Sequence, residues 1–199
     1  MEIIANSTQK LMTAILRSIS IPTIAMLEEV LKMSHVGIWK ALKKLEAAKM
    51  VILKAAGNKK NSTYSAYLNW DNPLVEKTLA LALEHEASSQ RRWLINFAEL
   101  ESKVDFLILY GSVLISPQKA DDIDLLSIVS KKNNSLEIEH LVMKAQKTQV
   151  KHIHNIIFAP ANLKGELKKP NIAFINAIKE GVVLFGQDRF VKFMKELQQ

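Results

Sequence analysis

Two acidic residues at a spacing of two, Asp122 and Asp124, begin an apolar stretch that has the length of a β-strand. Side chains two residues apart on a strand project to the same face, so the sequence predicts that both carboxylates point together. Two carboxylates on one face form a hard oxygen site for Mg²⁺, and such an ion can bridge the phosphates of a nucleoside triphosphate. We therefore expect Asp122 and Asp124 to be metal ligands and candidate catalytic residues.

A glycine and a serine end the preceding apolar run, which covers residues 104–110 and also has the length of a strand. Gly111 lets the backbone approach a phosphate closely, because glycine has no side chain. The hydroxyl of Ser112 and nearby backbone N–H groups can hold phosphate oxygens. Gly111 and Ser112 are therefore the predicted nucleotide-binding residues.

A strand, Gly-Ser, a gap and then Asp-x-Asp on a second strand resembles the DNA polymerase β-like nucleotidyltransferase superfamily, and within it the minimal nucleotidyltransferases. Residues 178–186 are similar to the closing helix, turn and short strand of those proteins, so the resemblance covers about residues 103–195. It implies a small α/β domain with a mixed sheet, Mg²⁺ and a nucleoside triphosphate as cofactors, and transfer of a nucleoside monophosphate to a hydroxyl group.

The chain departs from this superfamily at the third carboxylate, which active members place on a later strand. The matching stretch here, residues 150–158, contains no acid, and His154 or Asn155 stands in the expected region. Histidine can act as a general base but is a poor ligand for Mg²⁺. Two of the three expected carboxylates are thus present. His154 is a catalytic candidate, or it is simply a polar strand residue with satisfied hydrogen bonds.

The first third of the chain carries most of the basic excess. Residues 1–70 contain ten of the 27 basic residues and four of the 20 acidic residues, a net charge of +6, whereas residues 71–199 have a net charge of +1. Such an asymmetry indicates a polyanionic partner for the N-terminal part.

The pattern of the same segment predicts three helices and a hairpin. Apolar residues of the third helix, about 35–48, lie at spacings of four and three and leave a basic outer face. Two strands follow, separated by a turn that contains two lysines. Residues 6–70 therefore resemble winged helix-turn-helix domains of transcription regulators, which place a recognition helix in the major groove. The predicted DNA-binding residues are Ser34, His35, Gly37, Lys40, Lys43, Lys44, Lys59 and Lys60. The alternative is a winged helix that serves protein contacts or dimerisation.

The sequence thus predicts an α+β protein of three parts. These are a winged helix-turn-helix domain over residues 1–70, a helical connector over 71–102 and a nucleotidyltransferase-like domain over 103–199. Winged helices commonly bind paired half-sites, so we expect a homodimer on double-stranded DNA, with a further protein partner as an additional option.

The chain contains no cysteine, which excludes disulfides and thiolate metal sites. No apolar run approaches the roughly 20 residues that span a bilayer, so we expect a cytoplasmic protein without membrane contact. The favoured function is a DNA-binding transcription regulator whose nucleotidyltransferase-like domain is degenerate or senses nucleotides. The alternative is an active Mg²⁺-dependent nucleotidyltransferase, with antitoxin-like modification or shielding of a partner as a sub-case.

Overall fold

The computed structural model describes residues 7–56, 63–130, 135–169 and 171–199. Over these residues the protein is α+β, with ten α-helices, a two-stranded antiparallel sheet and a four-stranded mixed sheet. The chain divides into two compact units, Met1–Ala82 with Met194–Gln199, and Leu83–Phe193. None of the described helices has both the length and the apolar character needed to cross a membrane.

The α-helices are, in chain order, α1 (Ser7–Arg17), α2 (Ile24–Leu31), α3 (His35–Ala47), α4 (Pro73–Ser88), α5 (Arg91–Asn96), α6 (Ser112–Ile115), α7 (Ser135–Gln146), α8 (Pro160–Leu167), α9 (Ile172–Glu180) and α10 (Gln187–Gln198). The strands are β1 (Val51–Ala56), β2 (Thr63–Leu68), β3 (Phe106–Tyr110), β4 (Asp122–Ile128), β5 (His152–Phe158) and β6 (Val182–Phe185). A short 3₁₀ helix covers Ala98–Leu100.

In the first unit, side-chain caps fix where two of the helices begin. The hydroxyl of Thr23 accepts a hydrogen bond from the Met26 N–H at 3.3 Å at the start of α2. The Ser34 hydroxyl accepts one from the Gly37 N–H at 3.3 Å at the start of α3, as its position in the sequence predicts. Both bonds satisfy backbone donors that a helix end otherwise leaves unpaired.

The core of the first unit forms where the apolar stripes of α1, α2 and α3 meet. Leu11, Leu27, Ile38 and Leu42 are almost completely buried there. Strands β1 and β2 pair antiparallel, and Thr23 forms an isolated bridge to Ser65. The pairing of β2 with Thr23 therefore ties the hairpin to the start of α2.

In the second unit, the mixed sheet has the strand order β5-β4-β3-β6. Strand β3 is antiparallel to both β4 and β6, and β4 is parallel to β5. Both faces of the sheet are covered along most of β3. Leu107 and Leu109 belong to the buried cluster on one face. On the other face the Phe106 ring lies 5.4 Å from Phe190 and 5.3 Å from Phe193.

Residues 74–100, for which the sequence allows one long helix or two short ones, form two α-helices, α4 and α5, and the 3₁₀ helix. The division between the two units falls within α4, between Ala82 and Leu83. The last six residues, 194–199, group with the first unit. Gln198 accounts for part of this grouping, because its amide donates to three backbone carbonyls at residues 15, 16 and 18.

Candidate functional site

Strand register brings the predicted carboxylates together with residues from both neighbouring strands. Asp124 pairs with Tyr110 on β3 and with His154 on β5. Asp122 occupies the next position on the same face of β4 and pairs with His152. The candidate site is therefore one exposed corner of the sheet, where β3 ends and where β4 and β5 begin.

Three side chains that could hold a metal ion converge at this corner. The Nδ1 atom of His154 lies 3.2 Å from Asp122 Oδ2 and 3.8 Å from Asp124 Oδ1. One donor atom from each of the three residues lies within 4.8 Å of the other two. The two carboxylates are partly buried and the imidazole is more exposed, so the donors face a position that solvent can reach. Within the described part of the chain, these three residues form a group of histidine and acidic side chains that could hold a cation.

Gly111 allows the Asp124 carboxylate to lie against the backbone. A Cβ atom at position 111 would overlap Oδ2 of Asp124 and lie 3.2 Å from its Cγ. Gly111 also adopts φ 81° and ψ −163°, a conformation that residues with a side chain rarely occupy. Glycine is thus required here for two reasons, the backbone conformation and the close carboxylate, and this requirement holds whether or not a phosphate binds.

Burial and like charge both perturb ionisation at this corner. Partial burial raises the pKa of Asp124, the neighbouring Asp122 carboxylate raises it further, and His154 opposes both effects. Burial also raises the pKa of Tyr110, and the charges of Asp124 and Asp122 add to that effect. Both shifts follow from two negative charges that lie close together in a partly buried site.

The start of β5, which carries both histidines, is held by the side chain of Gln146 at the end of α7. Its Oε1 atom accepts a hydrogen bond from the Ile153 N–H at 2.7 Å. Its Nε2 atom donates to the Lys151 carbonyl at 3.0 Å and to the Gln149 carbonyl at 3.3 Å. These bonds position the residues directly before and after His152, so they help to orient His154 as well.

Of the two residues that the sequence leaves in the region of the missing third acid, His154 faces the carboxylates. Asn155 lies on the opposite face of β5, where its Oδ1 atom accepts a hydrogen bond from the Ser127 hydroxyl at 2.8 Å. The Nδ2 atom of Asn155 is buried and has no hydrogen-bond partner among the described residues. Asn155 is therefore separated by the sheet itself from the corner that carries Asp122, Asp124 and His154.

The predicted phosphate-binding residues border the same corner. Gly111 precedes α6, and Ser112 is the first residue of that four-residue helix. Both residues are exposed. Gly111 lies against Asp124, and phosphate binding by Gly111 and Ser112 stays a prediction.

On α3, the predicted DNA-binding residues have different surroundings. Lys40 and Lys44 are exposed, lie one turn apart and form no ion pair with any described residue. Lys43 lies 2.5 Å from Glu46 and 5.3 Å from the centre of the Trp39 ring.

The remaining predicted residues of this helix serve its start or lie beside it. His35 Nδ1 contacts the Glu28 carboxylate. Ser34 caps α3, and a Cβ on the partly buried Gly37 would lie 3.3 Å from the Ser34 hydroxyl oxygen. Lys59 and Lys60 lie outside the described residues. The basic face is thus centred on Lys40 and Lys44.

Trp39 packs against the hairpin. Its ring lies 5.1 Å from that of Tyr64 on β2. This contact connects α3 to the second strand of the hairpin and leaves the lysine-bearing face of α3 open.

Tyr110 and Gln146 are the site residues that sequence reasoning misses. Tyr110 could be found from its position directly before Gly111, once β3 and β4 are known to pair antiparallel. Gln146 has no such signal, because its role depends on the packing of α7 beside β5.

The chain matches no protein-family model, no curated protein and no solved structure.

Proposed function

We propose that this protein is a DNA-binding transcription regulator, with a winged helix-turn-helix in its first unit and a nucleotidyltransferase-like, nucleotide-sensing second unit. The observation that carries the proposal is the exposed pair Lys40 and Lys44 on α3. Two like charges one turn apart destabilise a helix by about 0.2–0.5 kcal/mol when nothing neutralises them. A phosphate backbone removes this repulsion, and α3 is the helix that follows the turn after α2.

The hairpin supports the same proposal. It follows α3 directly, and the contact between Trp39 and Tyr64 holds it beside that helix. In this arrangement strands β1 and β2 would lie beside the groove that α3 enters. A homodimer would present two such helices to paired half-sites.

The test measures how binding to a labelled DNA duplex of mixed sequence depends on salt. Each lost phosphate contact reduces the slope of log K against log [salt] by about 0.9. We expect the variant with Lys40→Ala and Lys44→Ala to show a slope smaller by about 1.8 and weaker binding at every salt concentration. A variant with Lys147→Ala and Lys192→Ala loses the same charge from exposed positions elsewhere. An equal effect of both variants would refute the assignment of α3.

A second candidate function, nucleotidyl transfer, is favoured by the convergence of Asp122, Asp124 and His154 beside Gly111. In an active site of this kind, a metal on the carboxylates would neutralise the triphosphate and stabilise the departing pyrophosphate. Incubation with labelled ATP or CTP, in Mg²⁺ and in parallel in Mn²⁺, tests this function. Transfer of label that Asp122→Asn abolishes would establish an enzyme. Absence of triphosphate binding at millimolar concentration would exclude both catalysis and nucleotide sensing.

A further inference from the structure

We propose that Asp122, Asp124 and His154 form a three-residue site that selects Zn²⁺, or a related ion that accepts nitrogen ligands, over Mg²⁺. This inference deepens the proposed nucleotide-binding role of the second unit by naming the class of ion. It rests on the donor set that the sheet assembles, two carboxylates from β4 and one imidazole from β5. The imidazole determines the preference, because nitrogen ligands suit Zn²⁺ and related ions, whereas Mg²⁺ requires oxygen ligands.

The positions of the donor atoms fit such an ion. Zn²⁺ binds histidine nitrogen and carboxylate oxygen at about 2.0–2.2 Å, which places neighbouring donors roughly 3.0–3.5 Å apart. The His154 Nδ1 atom is 3.2 Å from Asp122 Oδ2 and 3.8 Å from Asp124 Oδ1. All three donors lie within 4.8 Å of one another, so side-chain rotations would bring them onto one ion. Three protein ligands at an exposed corner also leave coordination positions for a phosphate oxygen or water.

The charges at the corner also favour a bound cation. Two carboxylates lie on one face of β4 at the closest same-face spacing, and among the described residues His154 is the basic side chain in ion-pair contact with both. Lys151, which directly precedes β5, donates instead to the Ala120 backbone carbonyl. A divalent ion would neutralise the pair completely, whereas a protonated imidazole can neutralise only one of the two charges.

An internal ion pair is the competing explanation, because a protonated His154 could itself occupy the place of the metal. The two explanations predict opposite effects of removing the imidazole. If His154 is a ligand, then His154→Ala weakens binding of Zn²⁺ and Mn²⁺. If His154 only competes with the cation for the carboxylates, then His154→Ala strengthens binding of every divalent ion.

The experiment titrates the untagged full chain with Zn²⁺, Mn²⁺ or Mg²⁺ alone, without DNA or nucleotide, by calorimetry. Absorption of bound Co²⁺ provides a second readout that is sensitive to nitrogen ligation. The variants are His154→Ala, His154→Asp, which supplies a third carboxylate, and Asp122→Asn. The matched control is His152→Ala, which removes the neighbouring imidazole from the same strand, with a ring centre 4.6 Å from that of His154.

We expect the wild type to bind one Zn²⁺ at least about tenfold more tightly than Mg²⁺, with the affinity for Mn²⁺ closer to that for Mg²⁺. His154→Ala should lose about ten- to a hundredfold in Zn²⁺ affinity, and His152→Ala should keep it. His154→Asp should bind Mg²⁺ more tightly than the wild type does and change the Co²⁺ spectrum.

Four outcomes would overturn the inference. These are equal affinity of the wild type for Mg²⁺ and Zn²⁺, a gain of affinity in His154→Ala, an equal loss in His152→Ala and His154→Ala, and failure of the wild type to bind any divalent ion. In each case the triphosphate-binding experiment remains a separate measurement, so failure of the ion preference is distinguishable from failure of the proposed nucleotide role.

Discussion

Replacing Gly111 with alanine separates the two demands that the structure makes on this position. The backbone has φ 81° and ψ −163°, a region that is nearly restricted to glycine. Holding alanine there costs of the order of 1–3 kcal/mol. The new methyl group would also overlap Asp124 Oδ2, which is the end of a side chain that can rotate away. We therefore expect the backbone to account for most of the lost stability, and the displaced carboxylate to account for a loss of metal affinity.

Gly165→Ala is the matched control for this change. Gly165 lies exposed within α8, and a Cβ atom there would have no neighbour within 4 Å. Alanine in a helix interior is more stable than glycine by roughly 0.5–1 kcal/mol. The same chemical change should thus stabilise the protein at position 165 and destabilise it at position 111. The difference in the free energy of unfolding between the two variants should be about 1.5–4 kcal/mol.

Unfolding in denaturant with a chelator present measures this difference. The protein contains three tryptophans, and Trp93 is the buried one in the second unit. A background with Trp39→Phe and Trp70→Phe lets fluorescence report on the unit that contains Gly111. The reasoning would be refuted if Gly111→Ala were no less stable than Gly165→Ala, or if it bound divalent ions as tightly as the parent protein.

Three further changes test the packing and capping around the candidate sites by unfolding in denaturant. Ser34→Ala is made in the chain that keeps Trp39 and Trp70, because position 34 lies in the first unit. Ser34→Ala should lower stability by about 0.5–2 kcal/mol, because it removes the acceptor of the Gly37 N–H, whereas an unchanged value would mean that α3 is not capped there. Ser127→Ala should cost about 1–3 kcal/mol by leaving Asn155 without its partner, and adding Asn155→Val should recover most of that loss. Phe106→Ala should cost about 3–5 kcal/mol, since its ring is fully buried, and a cost below that range would argue against the aromatic packing.

Short-range patterns in the sequence predict many of the local elements and part of the site. The third helix is expected over about 35–48 and forms over His35–Ala47, with Ser34 as its cap. Asp122 and Asp124 share a face of β4, as their spacing requires. These features depend on neighbours a few residues apart, so the chain carries the information locally.

The contacts between strands could not be predicted in the same way. Placing Tyr110 beside Asp124 requires the antiparallel register of β3 and β4, and placing His154 beside both carboxylates requires the parallel register of β4 and β5. Each register is set by residues far apart in the chain. The overlap of a methyl group at Gly111 with Asp124 follows only from the assembled sheet, although the glycine itself is visible in the sequence.

The register of β5 determines whether His154 or Asn155 faces the two carboxylates, and a shift of one residue would exchange them. Side chains alternate across a strand, so a shift of β5 by one position would turn His154 away and bring Asn155 to the carboxylates. An amide oxygen suits Mg²⁺, whereas an imidazole nitrogen suits Zn²⁺. Pairing with β4 and the Gln146 bond to the Ile153 N–H hold the observed register. The proposed ion preference thus depends in part on the hydrogen bonds of Gln146 to the backbone of β5, although Gln146 would not contact the ion.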